Sequence, residues 1–276
     1  MRIAYSWTGD PYGRPVLIVP SIMHGYAFPE RVAARLAAEG IPLWAIQRPG
    51  MGNSHARSYD RETDVTAIGA LVEALSMGDV VMLSLTGTPD PLECGLRSPK
   101  RWKSVLMASM ASPPTRAVRK MFPRTQVAMI GACRKSPLLG KLIVETAMRN
   151  GRRRGMDWLV GRILDNSPAD QAAMRDPEMR PLLRNAFEFN LTYDPEIRAL
   201  AYSRTLDAWD LPIEELAVPV HALVGTNYAY YHPPSIEQFA RRSERFTCQP
   251  VPGGGLKLFY QEPEVIADHV IAAVNA

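Results

Sequence analysis

Three hydroxyl side chains, Ser84, Thr86 and Thr88, follow the apolar run Val80–Leu83 and precede a helical pattern from Pro91 to Arg97. A hydroxyl at a sharp strand-to-helix turn attacks an acyl carbon if three conditions hold. A histidine must take its proton, a carboxylate must hold that histidine, and two N–H groups must receive the oxyanion. Residues of these types also bond to the backbone of turns, which is the structural reading of all three. His24 is the one histidine to test as a base. The favoured reading of it is a loop histidine that is locally hydrogen-bonded. The group Tyr228-Ala229-Tyr230-Tyr231 offers flat apolar faces with hydroxyl handles, for lining a pocket or for packing a loop.

The elements that must position these groups fit a chain of 276 residues with a 46% hydrophobic fraction, enough for one large domain with an insertion or for two domains. No run of eighteen apolar residues occurs, so no membrane span and no membrane partner are expected. The start, Met1-Arg2-Ile3-Ala4-Tyr5, lacks the apolar core of a secretory signal, and a cytoplasmic protein is expected. Cys94, Cys133 and Cys248 lie far apart, without metal spacing, and read as reduced thiols. No metal and no cofactor are expected. The net charge of +4 is mild, with a basic cluster from Lys141 to Arg162 that includes Arg149, Arg152, Arg153 and Arg154. The cluster reads as a solvated helix face, and nucleic-acid binding by this chain is not expected.

Apolar runs alternate with helical patterns in the first third. Strands are expected at Ile3–Trp7, Val16–Val19, Leu43–Ile46, Val80–Leu83 and Val105–Met107. Helices are expected over Pro29–Glu39, stopped by Gly40, over Asp64–Met77 and over Pro91–Arg97. The short continuous runs suit strands buried on both faces of a parallel sheet. Ala111 to about Asp210 is rich in Arg, Met and Pro and shows only helical spacing. The alternation then resumes with a strand at Val218–Gly225, a helix at Ser235–Arg242, an edge strand at Phe246–Val251 and a closing helix at Glu264–Val274. The expected class is α/β, a mostly parallel doubly wound sheet. Residues 1–110 and 211–276 form the core, and residues 111–210 form an inserted helical cap.

Three segments carry a resemblance: Gln47-Arg48-Pro49-Gly50-Met51-Gly52-Asn53-Ser54, Pro99-Lys100-Arg101-Trp102-Lys103-Ser104-Val105 and Glu262-Pro263-Glu264. In this order and spacing the chain resembles the α/β-hydrolase superfamily along nearly its whole length. Ile22-Met23-His24-Gly25-Tyr26 and Arg48-Pro49-Gly50 also resemble the hydrolase-like domains of bacterial helix-turn-helix regulators. The superfamily places its nucleophile in G-x-S-x-G. Ungapped alignment puts Leu85 there, and one deletion puts Thr86 there. Tyr228 stands at the acid position, with Asn227 beside it, and neither carries negative charge at neutral pH. Leu256 stands at the histidine position in Gly253-Gly254-Gly255-Leu256. Pro20-Ser21 replaces the His-Gly of the oxyanion loop, and proline has no N–H to donate.

The resemblance thus implies a retained scaffold with its catalytic positions altered. The leading expectation is a non-catalytic protein that binds a small hydrophobic molecule between core and cap, in a sensory or regulatory role. The expected ligand contacts are Ser21, Ile22, His24, Tyr26, Leu85, Thr86, Tyr228, Tyr230 and Leu256. The alternative is an atypical hydrolase using Thr86 with His24, or a lyase or cyclase using cleft tyrosines. A third class is an interaction module that pairs as a homodimer.

Overall fold

The computed structural model describes residues 2–20, 27–55, 60–85, 88–164 and 167–276. A seven-stranded sheet has the order β1-β3-β2-β4-β5-β6-β7. Its strands are β1 (Tyr5–Thr8), β2 (Val16–Val19), β3 (Leu43–Ile46), β4 (Val80–Ser84), β5 (Trp102–Ala108), β6 (Val220–Gly225) and β7 (Phe246–Val251). Only β1 runs antiparallel, against β3. The rest pair in parallel, with β2 beside β4 through Ile18↔Leu83 and β4 beside β5 through Ser84↔Met107. β2, β3 and β4 are buried at every residue, which is why they read as unbroken apolar runs.

The crossover helices are α1 (Glu30–Ala38), α2 (Arg61–Ala74) and α3 (Asp90–Arg97). α2 begins three residues before the expected Asp64, because the Asp60 side chain caps it by accepting from Thr63 N at 2.6 Å. Asp64 is instead turned inward. Between β5 and β6 come helices α4 (Arg116–Met121), α5 (Arg124–Lys135), α6 (Pro137–Arg154), α7 (Met156–Leu164), α8 (Pro168–Ala173), α9 (Met179–Asn190) and α10 (Pro195–Ser203). After β6 follow α11 (Pro233–Ala240), then α12 (Leu258–Gln261) and α13 (Pro263–Asn275) beyond β7.

The sheet separates two apolar layers. One joins Val16, Leu83 and Leu85 to Val160, Leu183 and Phe187 of the inserted helices and to Leu258, Phe259 and Val270. The other joins Leu17, Met82 and Val224 to Trp209, Ile236 and Phe239. All three cysteines are free thiols, two of them buried. No helix among the described residues is long and apolar enough to cross a membrane.

The glycine-rich turn after β7 approaches the end of β6 backbone to backbone. A Cβ on Gly225 would lie 2.2 Å from the Gly255 carbonyl oxygen and 2.5 Å from that of Gly254. Only glycine fits such an approach. Gly225→Ala is expected to lower stability by about 1–3 kcal/mol, read as a drop in the chemical-denaturation midpoint.

Candidate functional site

The segment between β4 and α3 is the strand-to-helix turn that would present a nucleophile. Leu85 N donates to Val19 O at 3.0 Å. The Leu85 side chain is fully buried in the apolar layer that includes Leu258 and Phe187. Thr86, Ser21, Ile22, His24 and Tyr26 lie outside the described residues. Thr88 donates from Oγ1 to Asp90 Oδ2 at 3.0 Å, so this hydroxyl is tied into the start of α3.

Beside that turn lies a buried ionic cluster. Arg48 Nε is 3.2 Å from Asp64 Oδ1, its Nη2 also bonds Asp64 Oδ2, and the same Nη2 is 2.9 Å from Asp90 Oδ2. Its Nη1 donates to Pro20 O at 3.4 Å. One guanidinium therefore ties together the ends of β2 and β3, the first turn of α2 and the first turn of α3. All three charged side chains are buried. Asp90 also lies in the first turn of α3, where the helix dipole favours a carboxylate. The Arg-Pro-Gly segment is thus a positioning device for the loops around the turn. A lysine cannot reproduce the two-pronged geometry. Arg48→Lys is expected to cost about 2–3 kcal/mol in urea unfolding, since charged hydrogen bonds of about this worth are lost.

Tyr228 is buried, and its hydroxyl accepts from Ser112 N at 3.1 Å and lies 3.2 Å from Ser112 Oγ. Burial pushes its phenol up. Tyr230 stacks on Phe122 at 3.9 Å between centroids and donates to Gln126 Oε1 at 3.0 Å. Tyr231 packs against the layer on the opposite face of the sheet from Leu85. Tyr230 thus fastens the loop after β6 to α5, and Tyr228 fastens it to the loop after β5.

The glycine-rich turn carries chemistry that sequence reasoning missed. Leu256, half-buried, donates its N–H to Asp170 Oδ2 at 3.1 Å, and Lys257 N donates to Asp170 Oδ1 at 2.8 Å. Gln261 Nε2 donates to the same oxygen at 2.5 Å. Asp170 belongs to α8, so one carboxylate pins an inserted helix to the turn. The Lys257 side chain is also buried, only 2% exposed. Burial lowers its ammonium to about 8, against the attraction of Asp170. Burial likewise pushes the Asp170 carboxyl up. Leu258 N donates to Ser109 Oγ at 3.0 Å, and Ser109 has φ +86°, a left-handed conformation that is strained for serine. Ser109 directly follows β5, the neighbour of β4. The turn holding Lys257 is therefore anchored at the strand end next to the elbow. Lys257 stands beside Leu256 in a motif already singled out. Nothing in the sequence marks Asp170 as its partner.

A groove of about 510 Å³ lies on the outer side of this turn, lined by residues that include Pro168, Ala172, Asp176, Gly253, Tyr260 and Gln261. It touches none of Leu85, Tyr228 and Leu256. Among the described residues, no group of three His, Cys, Asp or Glu side chains is placed to hold a metal ion.

A mostly parallel sheet with a glycine turn after β7 and a helical insertion between β5 and β6 defines an α/β-hydrolase fold. The sequence profile of the alpha/beta hydrolase family matches residues 16–269, and the chain belongs to that family. Solved structures share the fold. An enol-lactonase from Burkholderia xenovorans LB400 is 16% identical, covers 99% of this chain and 96% of its own, and has a TM-score of 0.73. A thermophilic esterase from Thermogutta terrifontis is 17% identical, covers 99% and 93%, and scores 0.70. A hydrolase from Pseudomonas aeruginosa PA01 is 16% identical, covers 99% and 94%, and scores 0.70. No curated protein matches the sequence significantly.

Proposed function

We propose that this chain is an atypical hydrolase of ester or related bonds, working through reassigned residues. Thr86 serves as nucleophile at the elbow. Its proton passes to His24, the base suggested by the sequence, or to Lys257, the amine the structure adds. The observation that carries the reading is the buried Lys257, whose backbone N–H bonds the buried Asp170 carboxylate, at the turn that holds the base in this family. Burying a lysine and a carboxylate costs free energy, and proteins concentrate such perturbed groups at functional sites. An amine that titrates near 8 is half-deprotonated at about pH 8, within the range a general base needs. That an esterase and an enol-lactonase share the fold supports acyl transfer as the reading.

A second reading is a non-catalytic binder of a small apolar ligand with a sensory or regulatory role. Leu256 at the histidine position and the fully buried Leu85 favour it. One experiment separates the two. Esters with acyl chains from short to long are assayed on the wild type and on Thr86→Ala. Turnover above buffer that disappears in the variant supports the hydrolase. No turnover in either protein leaves the binding scaffold.

A further inference from the structure

We propose that the face formed by α4, α5 and the first turns of α6 docks peripherally on an anionic lipid surface. Leu138, Leu139 and Leu142 would enter the headgroup region, and the cations around them would meet the lipid phosphates. These leucines lie on the first two turns of α6, and they are 69%, 46% and 51% exposed. Val127 of α5 and Met121 of α4 are exposed large apolar residues on the adjoining helices. α5 and α6 meet closely, since a Cβ on Gly140 would lie 3.1 Å from the Cα of Cys133. Lys135 ends α5, three residues before Leu138 at the start of α6.

The chain that forms this apolar patch carries charge of nearly one sign. No Asp or Glu occurs from Cys94 to Val144. From Ala111 to Met156, eleven Lys or Arg residues stand against the single acid Glu145. The whole chain carries only +4, so the positive field is concentrated here. Among the described residues, Arg134 with Asp207 is the one member of that set in an ion pair. Exposed leucines ringed by cations are what an interfacial helix presents to anionic lipid, the apolar groups partitioning and the cations attracting. An isologous pairing of two copies would set this face against itself, cation on cation. A nucleic acid would satisfy the cations but has no use for three central leucines, and no exposed aromatic ring stands among them to stack on bases. The lack of a membrane-spanning helix is no bar, because the docking is peripheral. The inference is independent of the catalytic reading, and its test needs no activity.

The test is vesicle co-sedimentation of the full chain. Phosphatidylcholine vesicles are compared with vesicles that also hold about 30% phosphatidylglycerol, at about 0.05 M and about 0.5 M salt. The expected result is about tenfold or stronger binding to the anionic vesicles, weakened by salt. Two variants are compared, Leu138→Ser/Leu139→Ser/Leu142→Ser and Lys135→Glu/Lys141→Glu. Each is expected to lose most of the binding while keeping the wild-type melting temperature, since the substituted side chains reach solvent. Several results would overturn the proposal: no binding to anionic vesicles at low salt, equal binding to neutral ones, or binding untouched by the leucine variant. Tighter binding to a duplex oligonucleotide would overturn it too, as would a lipid-free dimer that the leucine variant makes monomeric.

Discussion

Asp170→Ala is expected to lower the unfolding free energy by about 3–5 kcal/mol at neutral pH, measured by urea titration. Two losses add. The N–H groups of Leu256 and Lys257 and the amide of Gln261 lose their common acceptor, and buried donors left unpaired are costly. The Lys257 ammonium, buried beside Asp170, also loses its counter-charge. The second loss has a pH signature. The folded-state value of Lys257 is depressed, from 10.5 to about 8, so folding disfavours its cation. In the wild type this contribution makes stability fall as pH drops from about 10.5 to about 8, with no further change below. Removing Asp170 depresses the amine further and extends that fall to lower pH. The deficit of the variant is therefore larger near pH 6.5 than near pH 9.5, where the folded amine is neutral in both proteins and only the lost hydrogen bonds remain. Asp170→Ala/Lys257→Met is expected to recover the charge-dependent part, because no buried cation is left. A deficit independent of pH, and unrelieved in the double variant, would show that the pair is not coupled.

Much of the architecture is legible in the sequence, for a physical reason. Parallel strands buried on both faces must be apolar at every position, so Val16–Val19, Leu43–Ile46 and Val80–Leu83 announce themselves as runs of fixed length. The start of α2 shows where local reading stops. Asp64 resembles the acidic first residue of a helix, but Asp60 holds the cap. Asp64 faces Arg48, sixteen positions earlier in the chain, in a buried ion pair. No local pattern distinguishes an acid that caps from one that turns inward. The same limit applies to the candidate site. Gly253-Gly254-Gly255-Leu256 is visible as a motif, and so is its missing histidine. The carboxylate that reaches this turn comes from α8, inside a helical insertion with no motif of its own, and lies 87 positions from Lys257. Nor does sequence show which tyrosines line a cleft. Tyr228 and Tyr230 read from their amphipathic chemistry either as pocket lining or as loop packing, and nothing local names Ser112 and Gln126 as the partners of their hydroxyls.

Thr86→Ala is expected to reduce kcat/KM for ester hydrolysis by about 10³-fold or more, leaving only the background of binding and residual oxyanion stabilisation. The pH–rate profile of the wild type then identifies the base. A base works only when deprotonated, so kcat/KM rises with pH through the pKa of the group that accepts the Thr86 proton. If Lys257 accepts it, the rising limb lies near 8. In Asp170→Ala that limb moves to lower pH, because the carboxylate no longer favours the ammonium. If His24 accepts it, the limb lies near the ordinary histidine value of about 6.5 and does not follow the Asp170 substitution. A profile without a rising limb between about pH 5 and about pH 9 would exclude both groups as the base. The displacement in Asp170→Ala also separates a proton-accepting lysine from a merely structural one. Loss of folding is greatest at low pH in this variant, so it would move the apparent limb to higher pH, whereas a change at a lysine base moves it to lower pH.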